Sequence, residues 1–400
     1  MKKKDLQVCL TVFLCGLITT VFLTCCDRPD LIRYSAGLDS LSAVLVPDKR
    51  EGIIDVQLSG SGSNLILKGE TDQQTVKDKV VAFLTGKGLQ FTDSLKVLPD
   101  TSVIKKPWAL VNVSVCNMRS EPSHAAELVS QAVMGTPVRI LKVHRGWYLI
   151  QTPDFYLGWV DAEGICPMGS DELERWKDSP RIIYLSKTGD IYDEPSGTAI
   201  VSDIVAGSIL EVSEATGSFT RVILPDGRRG LIPKNEAELL DNWLSKARPS
   251  PENLLKSARS FMGIPYLWGG TSVKGFDCSG FVKTIYYLNG IILARDASLQ
   301  FRHGIKLGRS AYPDSLITGD LLFFGSDRDG IPRPTHVGMY IGDTEFIHAS
   351  GMVKINSLDS ARVNFSRGRR DSFLGVGRIS GAVPGEGLQL VSGHNWYIDN

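Results

Sequence analysis

Phe276-Asp277-Cys278-Ser279-Gly280-Phe281-Val282 joins a turn cluster, Gly263-Ile264-Pro265-Tyr266-Leu267-Trp268-Gly269-Gly270, to an apolar-periodic run that ends at Asn289-Gly290. The periodicity predicts a helix, with Asp277 as its N-cap and Cys278 in its first turn. Unpaired N–H groups and the positive end of the helix dipole favour a thiolate there, so the sequence predicts a readily ionised cysteine. A thiol with a chemical task also wants a neighbouring imidazole, both as ion-pair partner and as the carrier of its proton.

Two histidines follow at suitable places. Thr335-His336-Val337-Gly338-Met339-Tyr340-Ile341-Gly342-Asp343 and Glu345-Phe346-Ile347-His348-Ala349-Ser350 both alternate like strands and meet at a Gly-Asp turn. They read as a β-hairpin with one histidine on each arm. His336 is then the expected base, and His348 the group that orients its far ring nitrogen. Gly319-Asp320-Leu321-Leu322-Phe323-Phe324 reads as a further strand of the same sheet. Cys278, His336 and His348 lack the short paired spacing of zinc ligands; neither a metal nor a cofactor is expected.

These segments, in this order, resemble the NlpC-type cysteine peptidases: Pro265-Tyr266-x-Trp268-Gly269-Gly270, Asp277-Cys278-Ser279-Gly280-Phe281, Gly319-Asp320-Leu321-Leu322-Phe323-Phe324 and His336-Val337-Gly338-x-Tyr340-Ile341-Gly342. The resemblance implies a papain-like α+β catalytic domain over residues 250–381, followed by a C-terminal tail, 382–400. It also implies hydrolysis of the γ-D-glutamyl–diamino-acid bond in peptidoglycan stem peptides. Cys278 takes the place of the nucleophile, His336 of the base and His348 of the orienting residue. Tyr266 matches a tyrosine that donates toward the oxyanion together with the Cys278 N–H, and Asp277 and Ser279 match positions that face the substrate. Arg295-Asp296-Ala297 matches a segment whose aspartate helps bind a free substrate amine. The Arg367-x-Arg369-Arg370 cluster reads as a solvated loop.

Upstream, short strands punctuated by turn residues predict small barrels. Residues 107–168 carry Asn117-Met118-Arg119-Ser120-Glu121-Pro122, Gly135-Thr136-Pro137-Val138, Gly146-Trp147 and Gly158-Trp159-Val160, and resemble the bacterial SH3-like domains that accompany wall hydrolases. Residues 180–242 repeat the spacing, with Val205-Ala206-Gly207-Ser208 placed as Val133-Met134-Gly135-Thr136 is in the first copy. Relatives with two such barrels tend to require a free N-terminal L-Ala. By position, Glu127 and Tyr156 of the first barrel are the candidates to reach the site, the carboxylate pairing with the ammonium. Residues 31–104, with two strand patterns and the amphipathic stretch Thr71–Leu84, predict a small α+β domain.

At 400 residues the chain is too long for one ordinary core. Lys+Arg and Asp+Glu both number 44, so no overall field favours a nucleic-acid partner, and a monomer is expected. Lys2, Lys3 and Lys4 precede an apolar run that ends at Leu23-Thr24-Cys25-Cys26, which resembles a lipoprotein signal peptide over residues 1–25 with Cys26, or alternatively Cys25, as the lipidated residue. The expected location is the cell envelope, held to the membrane by that lipid. Three cysteines remain downstream, Cys116, Cys166 and Cys278. The first two either pair or are buried free thiols. Two other functions stay open: a non-catalytic wall-binding lipoprotein, and an amidase or acyltransferase on the same fold.

Overall fold

A computed structural model describes residues 31–61, 64–197, 199–385 and 387–399. The segment expected as a signal peptide, with Cys25 and Cys26, lies outside the described residues. Among the described residues no helix is long and apolar enough to cross a membrane.

The N-terminal domain adds two elements to the expected pattern. The helix Leu31–Leu45 precedes the hairpin Ile54–Ser61 and Asn64–Thr71, and the helix Gln74–Gly86 leads to the strand Thr92–Val97. That last strand lies parallel to Asn64–Thr71, and the helix is the crossover that a parallel pair requires. Only Leu95 of the strand is buried, so its sequence carries no alternation to announce it. Leu38, Leu67, Val80, Leu84 and Leu95 form the core.

Two seven-stranded barrels follow. In the first, the strands run in the order Ile165–Met168, Trp108–Val111, Pro137–His144, Trp147–Gln151, Leu157–Asp161, Val115–Arg119, Leu128–Val133. The second has the same connectivity: Ala237–Leu239, Arg181–Tyr184, Ile209–Thr216, Phe219–Ile223, Arg229–Pro233, Thr188–Tyr192, Ile200–Val205. Identical strand order is what the repeated spacing led one to expect. Gly135 and Gly207 occupy equivalent turns, both at positive φ, where a side chain would be strained. At Gly135 a Cβ would also come within 1.7 Å of the Ile209 carbonyl oxygen, so this turn is where the barrels press together. Cys116 and Cys166 are both unpaired.

The C-terminal domain sets the helices Pro251–Ser260 and Cys278–Tyr287 against a six-stranded antiparallel sheet. Its strand order is Ile305–Gly308, Phe373–Arg378, Leu321–Arg328, Ile331–Gly342, Glu345–Ser350, Met352–Ser357. Phe276, Phe281, Ile285, Phe323, Val337, Met339 and Ile347 fill the interface, which is the papain-like arrangement of a helix start facing a sheet. The turn between the histidine strands is Asp343-Thr344, both at positive φ, as a two-residue type I′ hairpin demands.

The stretch expected as a tail is a strap. Leu388–Leu390 pairs with Ile291–Leu293, Trp396 packs edge-on against Trp108 of the first barrel at 5.0 Å, and buried His394 hydrogen-bonds the Pro153 carbonyl through Nε2.

Candidate active site

Asp277 caps the helix Cys278–Tyr287 by accepting from the Gly280 N–H, which puts Cys278 at the first helical residue. Its thiol opens into a cleft of about 390 Å³ whose walls come from three domains: Tyr266, Trp268 and Asp296 from the catalytic domain, Glu127 and Tyr156 from the first barrel, and Arg50 from the N-terminal domain.

His336 and His348 are both buried and do not line the cleft; the N–H of Val337, next along the strand from His336, reaches the Cys278 thiol. His336 Nε2 lies 2.7 Å from His348 Nδ1, and His348 Nε2 lies 2.9 Å from Asn356 Oδ1. Asn356 Nδ2 donates to the Asn364 carbonyl at 2.8 Å, which turns its own oxygen toward the ring. With an acceptor there, His348 carries its proton on Nε2 and accepts on Nδ1 from the Nε2–H of His336. His336 is left with an unprotonated Nδ1, the form a base needs. Asn356 has no counterpart in the sequence reading. It sits diagonally across the ladder from His348, whose direct partner is Lys354, and only the strand pairing reveals it.

Burial keeps the pair neutral. It pushes His336 well below the usual imidazole range, with the cations Arg369 and Lys354 and the His348 ring adding to the drop. His348 is lowered to about 4 by burial, opposed by its bond to Asn356. Cys278 is pushed up to about 11, first by burial and then by the Asp277 carboxylate, while the Val337 and Ser279 N–H groups and Arg295 pull the other way. The expectation of a readily ionised thiol is therefore corrected. The helix terminus does supply N–H groups that favour a thiolate, but burial opposes them and shifts the thiol the other way.

Tyr266 is half-buried and its phenol is raised to about 12, by burial and then by the Cys278 and Asp277 charges, so it remains a donor. Asp277 and Arg295 differ from expectation. Asp277 accepts from Gly280 N, Ser279 Oγ, Gly269 N and two nitrogens of Arg295, which leaves its carboxylate no free edge for a substrate. Arg295 is 1% exposed and spends its donors on Asp277, Ser130 and Ser279. Both form the floor of the cleft and bracket the helix start to the first barrel.

At the far end, Asp296 Oδ2 accepts from the Tyr156 hydroxyl at 3.0 Å and from Arg50 Nη1 at 2.7 Å. Trp268 is 63% exposed, not core, and its indole N–H donates to Glu127 at 2.7 Å. Glu127, Tyr156 and Asp296 thus share one cleft. Arg369, expected in a solvated loop, instead lies half-buried with its guanidinium 5.7 Å from the Phe324 ring centre, within electrostatic reach of Cys278 and Tyr266. No local signal marks Arg50, because the cleft residues it bonds, Asp296 and Ser298, are 246 and 248 positions away in the chain.

Comparison with known proteins accords with this geometry. The NlpC/P60 family profile matches residues 263–366, and that of the bacterial dipeptidyl-peptidase Sh3 domain matches 118–165. A gamma-D-glutamyl-L-lysine dipeptidyl-peptidase of Bacillus cereus is 31% identical over 236 residues, 57% of this chain and 68% of the relative. Dipeptidyl-peptidase 6 of Lysinibacillus sphaericus is 30% identical over 288 residues, 68% of this chain and 99% of the relative. The crystal structure of an NlpC/P60 family protein from Bacillus cereus superposes with a TM-score of 0.59 at 24% identity, covering 68% of this chain and 99% of that one; this bears on the fold. Taken with the cysteine at a helix start and the paired histidines on the facing sheet, these matches place the chain in the NlpC/P60 family of cysteine peptidases.

Proposed function

We propose that this protein hydrolyses the γ-D-glutamyl–diamino-acid bond of peptidoglycan stem peptides at the cell envelope, with Cys278 as nucleophile, His336 as base and His348 as its orienting partner. The observation that carries this reading is the ordered proton chain Asn356–His348–His336 on the sheet packed against the helix that Cys278 begins, with a cleft beside Cys278 whose far end presents carboxylates. The names of two relatives, a gamma-D-glutamyl-L-lysine dipeptidyl-peptidase and a dipeptidyl-peptidase, support the substrate class.

In this mechanism Cys278 Sγ attacks the γ-carbonyl of D-Glu after its proton has passed to His336 Nδ1. The Tyr266 hydroxyl and the Cys278 N–H receive the developing oxyanion. The protonated His336 returns its proton to the α-amine of the departing diamino acid, leaving a thioester on Cys278. Water, deprotonated by the same nitrogen, then releases the peptide and restores the thiol. Glu127 and Asp296 receive the ammonium of a free N-terminal L-Ala, which favours released stem peptides over those still joined to muramic acid. Lipidation at Cys26 would hold the enzyme, as a monomer, at the membrane.

The lowered imidazole values set the pH response. A base works only unprotonated, so kcat/KM falls as acid protonates His336. Burial moves that event below the ordinary histidine value of about 6.5. The acid limb is expected well under that value, and activity at pH 6 close to the plateau. Protonation of His348 near 4 removes the acceptor for His336 Nε2 and ends turnover. A limb centred at or above 6.5 would show a solvated imidazole and contradict the proton chain.

Incubating the purified protein with defined muropeptides, carrying either L-Lys or meso-diaminopimelate, and weighing the products tests the reading. Release of L-Ala-γ-D-Glu is expected, faster from the free tripeptide than from its N-acetyl form. Products cut at the amide joining muramic acid to L-Ala would make the protein an amidase instead, and no cleavage at all would favour a wall-binding role.

A further inference from the structure

Among the described residues Arg50 is the one residue of the N-terminal domain on the cleft wall, and it is firmly held. Its Nε and Nη2 donate to the two oxygens of Asp48 at 2.8 and 2.7 Å, Asp48 is itself paired with Arg302 at 3.1 Å, and the Arg50 carbonyl accepts from the Leu157 N–H of the first barrel at 2.8 Å. The remaining nitrogen, Nη1, reaches Asp296 at 2.7 Å, and the Ser298 hydroxyl lies 3.2 Å from Nη2. A bidentate, multiply anchored guanidinium of this kind is a fixed charge in the site, unlike a solvated surface arginine.

Asp296 is the carboxylate assigned above to the substrate ammonium. Its Oδ2 is occupied by Arg50 and Tyr156, and its Oδ1 lies 3.9 Å from Arg295. Asp48, Arg50, Asp296, Arg295, Asp277 and Arg302 together sum to zero charge, so the cluster attracts a further cation weakly. Glu127, which forms no ion pair among the described residues, supplies most of the remaining pull. An ammonium at Asp296 must share that carboxylate with a like charge a few ångströms away, which costs part of the attraction.

We propose that Arg50 is a specificity-determining residue: a cation lent by the N-terminal domain to Asp296, which reduces the advantage of a free N-terminal amine and lets the cleft also accept stem peptides with neutral, acylated N-termini. The domain outside the barrels and the peptidase thereby sets how far the enzyme discriminates released peptides from wall-linked ones. This rests on the substrate reading above and refines it.

The experiment measures binding by calorimetry in the full chain carrying Cys278→Ala, so that ligand is not consumed. The two ligands are L-Ala-γ-D-Glu-L-Lys and its N-acetyl derivative. The readout is the ratio of the two Kd values, acetylated over free. Adding Arg50→Met should raise that ratio about tenfold, as expected for removing a like charge beside a partly shielded carboxylate, and Arg50→Lys should raise it less because the cation remains. A ratio that is unchanged or falls in Arg50→Met overturns the proposal, including the case in which both peptides weaken equally, as a purely structural arginine would give. If neither peptide binds the parent protein, the substrate reading fails and takes this inference with it.

Discussion

Cys278→Ala should leave a folded protein with no measurable stem-peptide hydrolysis, a loss on the order of a million-fold in kcat, as is typical when a nucleophile is removed. The fold should tolerate it for local reasons. The helix start is capped by Asp277 and not by the thiol, and the surrounding core of Phe276, Phe281 and Val337 loses one sulfur atom at the edge of an open cleft. Destabilisation of about 1 kcal/mol is expected, the central value for single substitutions. Cys278→Ser should be nearly as inert, because a neutral imidazole that serves a thiol is a poor match for a far less acidic hydroxyl. Thermal unfolding monitored beside product release separates the two effects. Hydrolysis retained in the alanine variant would remove Cys278 from the chemistry altogether.

What the sequence disclosed was local, and what it concealed was packing. Asp277 announces a cap by its place before a periodic run, and His336 and His348 announce a hairpin by alternation, because the backbone geometry of each is set within a few residues. The second barrel was legible for the same reason: Gly207 recurs where Gly135 stands, since both turns need positive φ. Asn356 and Arg369 reach the site only after the sheet has closed, and Arg50 only after the N-terminal domain has docked on the first barrel through Lys142–Glu70 and Arg139 to the Leu98 carbonyl. The thiol shows the limit most clearly. A helix N-terminus is visible in sequence, whereas the burial that raises Cys278 to about 11 depends on every element around it. Residues 382–400 read as a tail for want of periodicity, although Trp396 and Tyr397, large aromatics that rarely remain exposed together, marked a docked strap.

Arg295→Met should be the most damaging change outside the residues proposed as catalytic, lowering stability by on the order of 3 kcal/mol and kcat/KM by about a hundredfold. Arg295 is buried between two domains, with Ser130 of the first barrel on Nε at 3.1 Å and Asp277 on Nη2 at 2.5 Å. Methionine fills much of the same volume but satisfies neither group. Asp277 is then left as a buried carboxylate without its counter-charge, beside the proposed nucleophile and at the cap of its helix. Removing one member of a buried pair is costly because the other stays behind, whereas removing both costs much less. Arg295→Met combined with Asp277→Asn should therefore regain about half of the lost stability, since asparagine caps a helix about as well as aspartate and leaves no orphan charge. Urea unfolding followed by tryptophan fluorescence, read at the first transition because the chain has several domains, measures both variants. A double variant no more stable than Arg295→Met alone would mean that Arg295 acts by shape and not by charge, and that Asp277 would stay in place beside Cys278 without it.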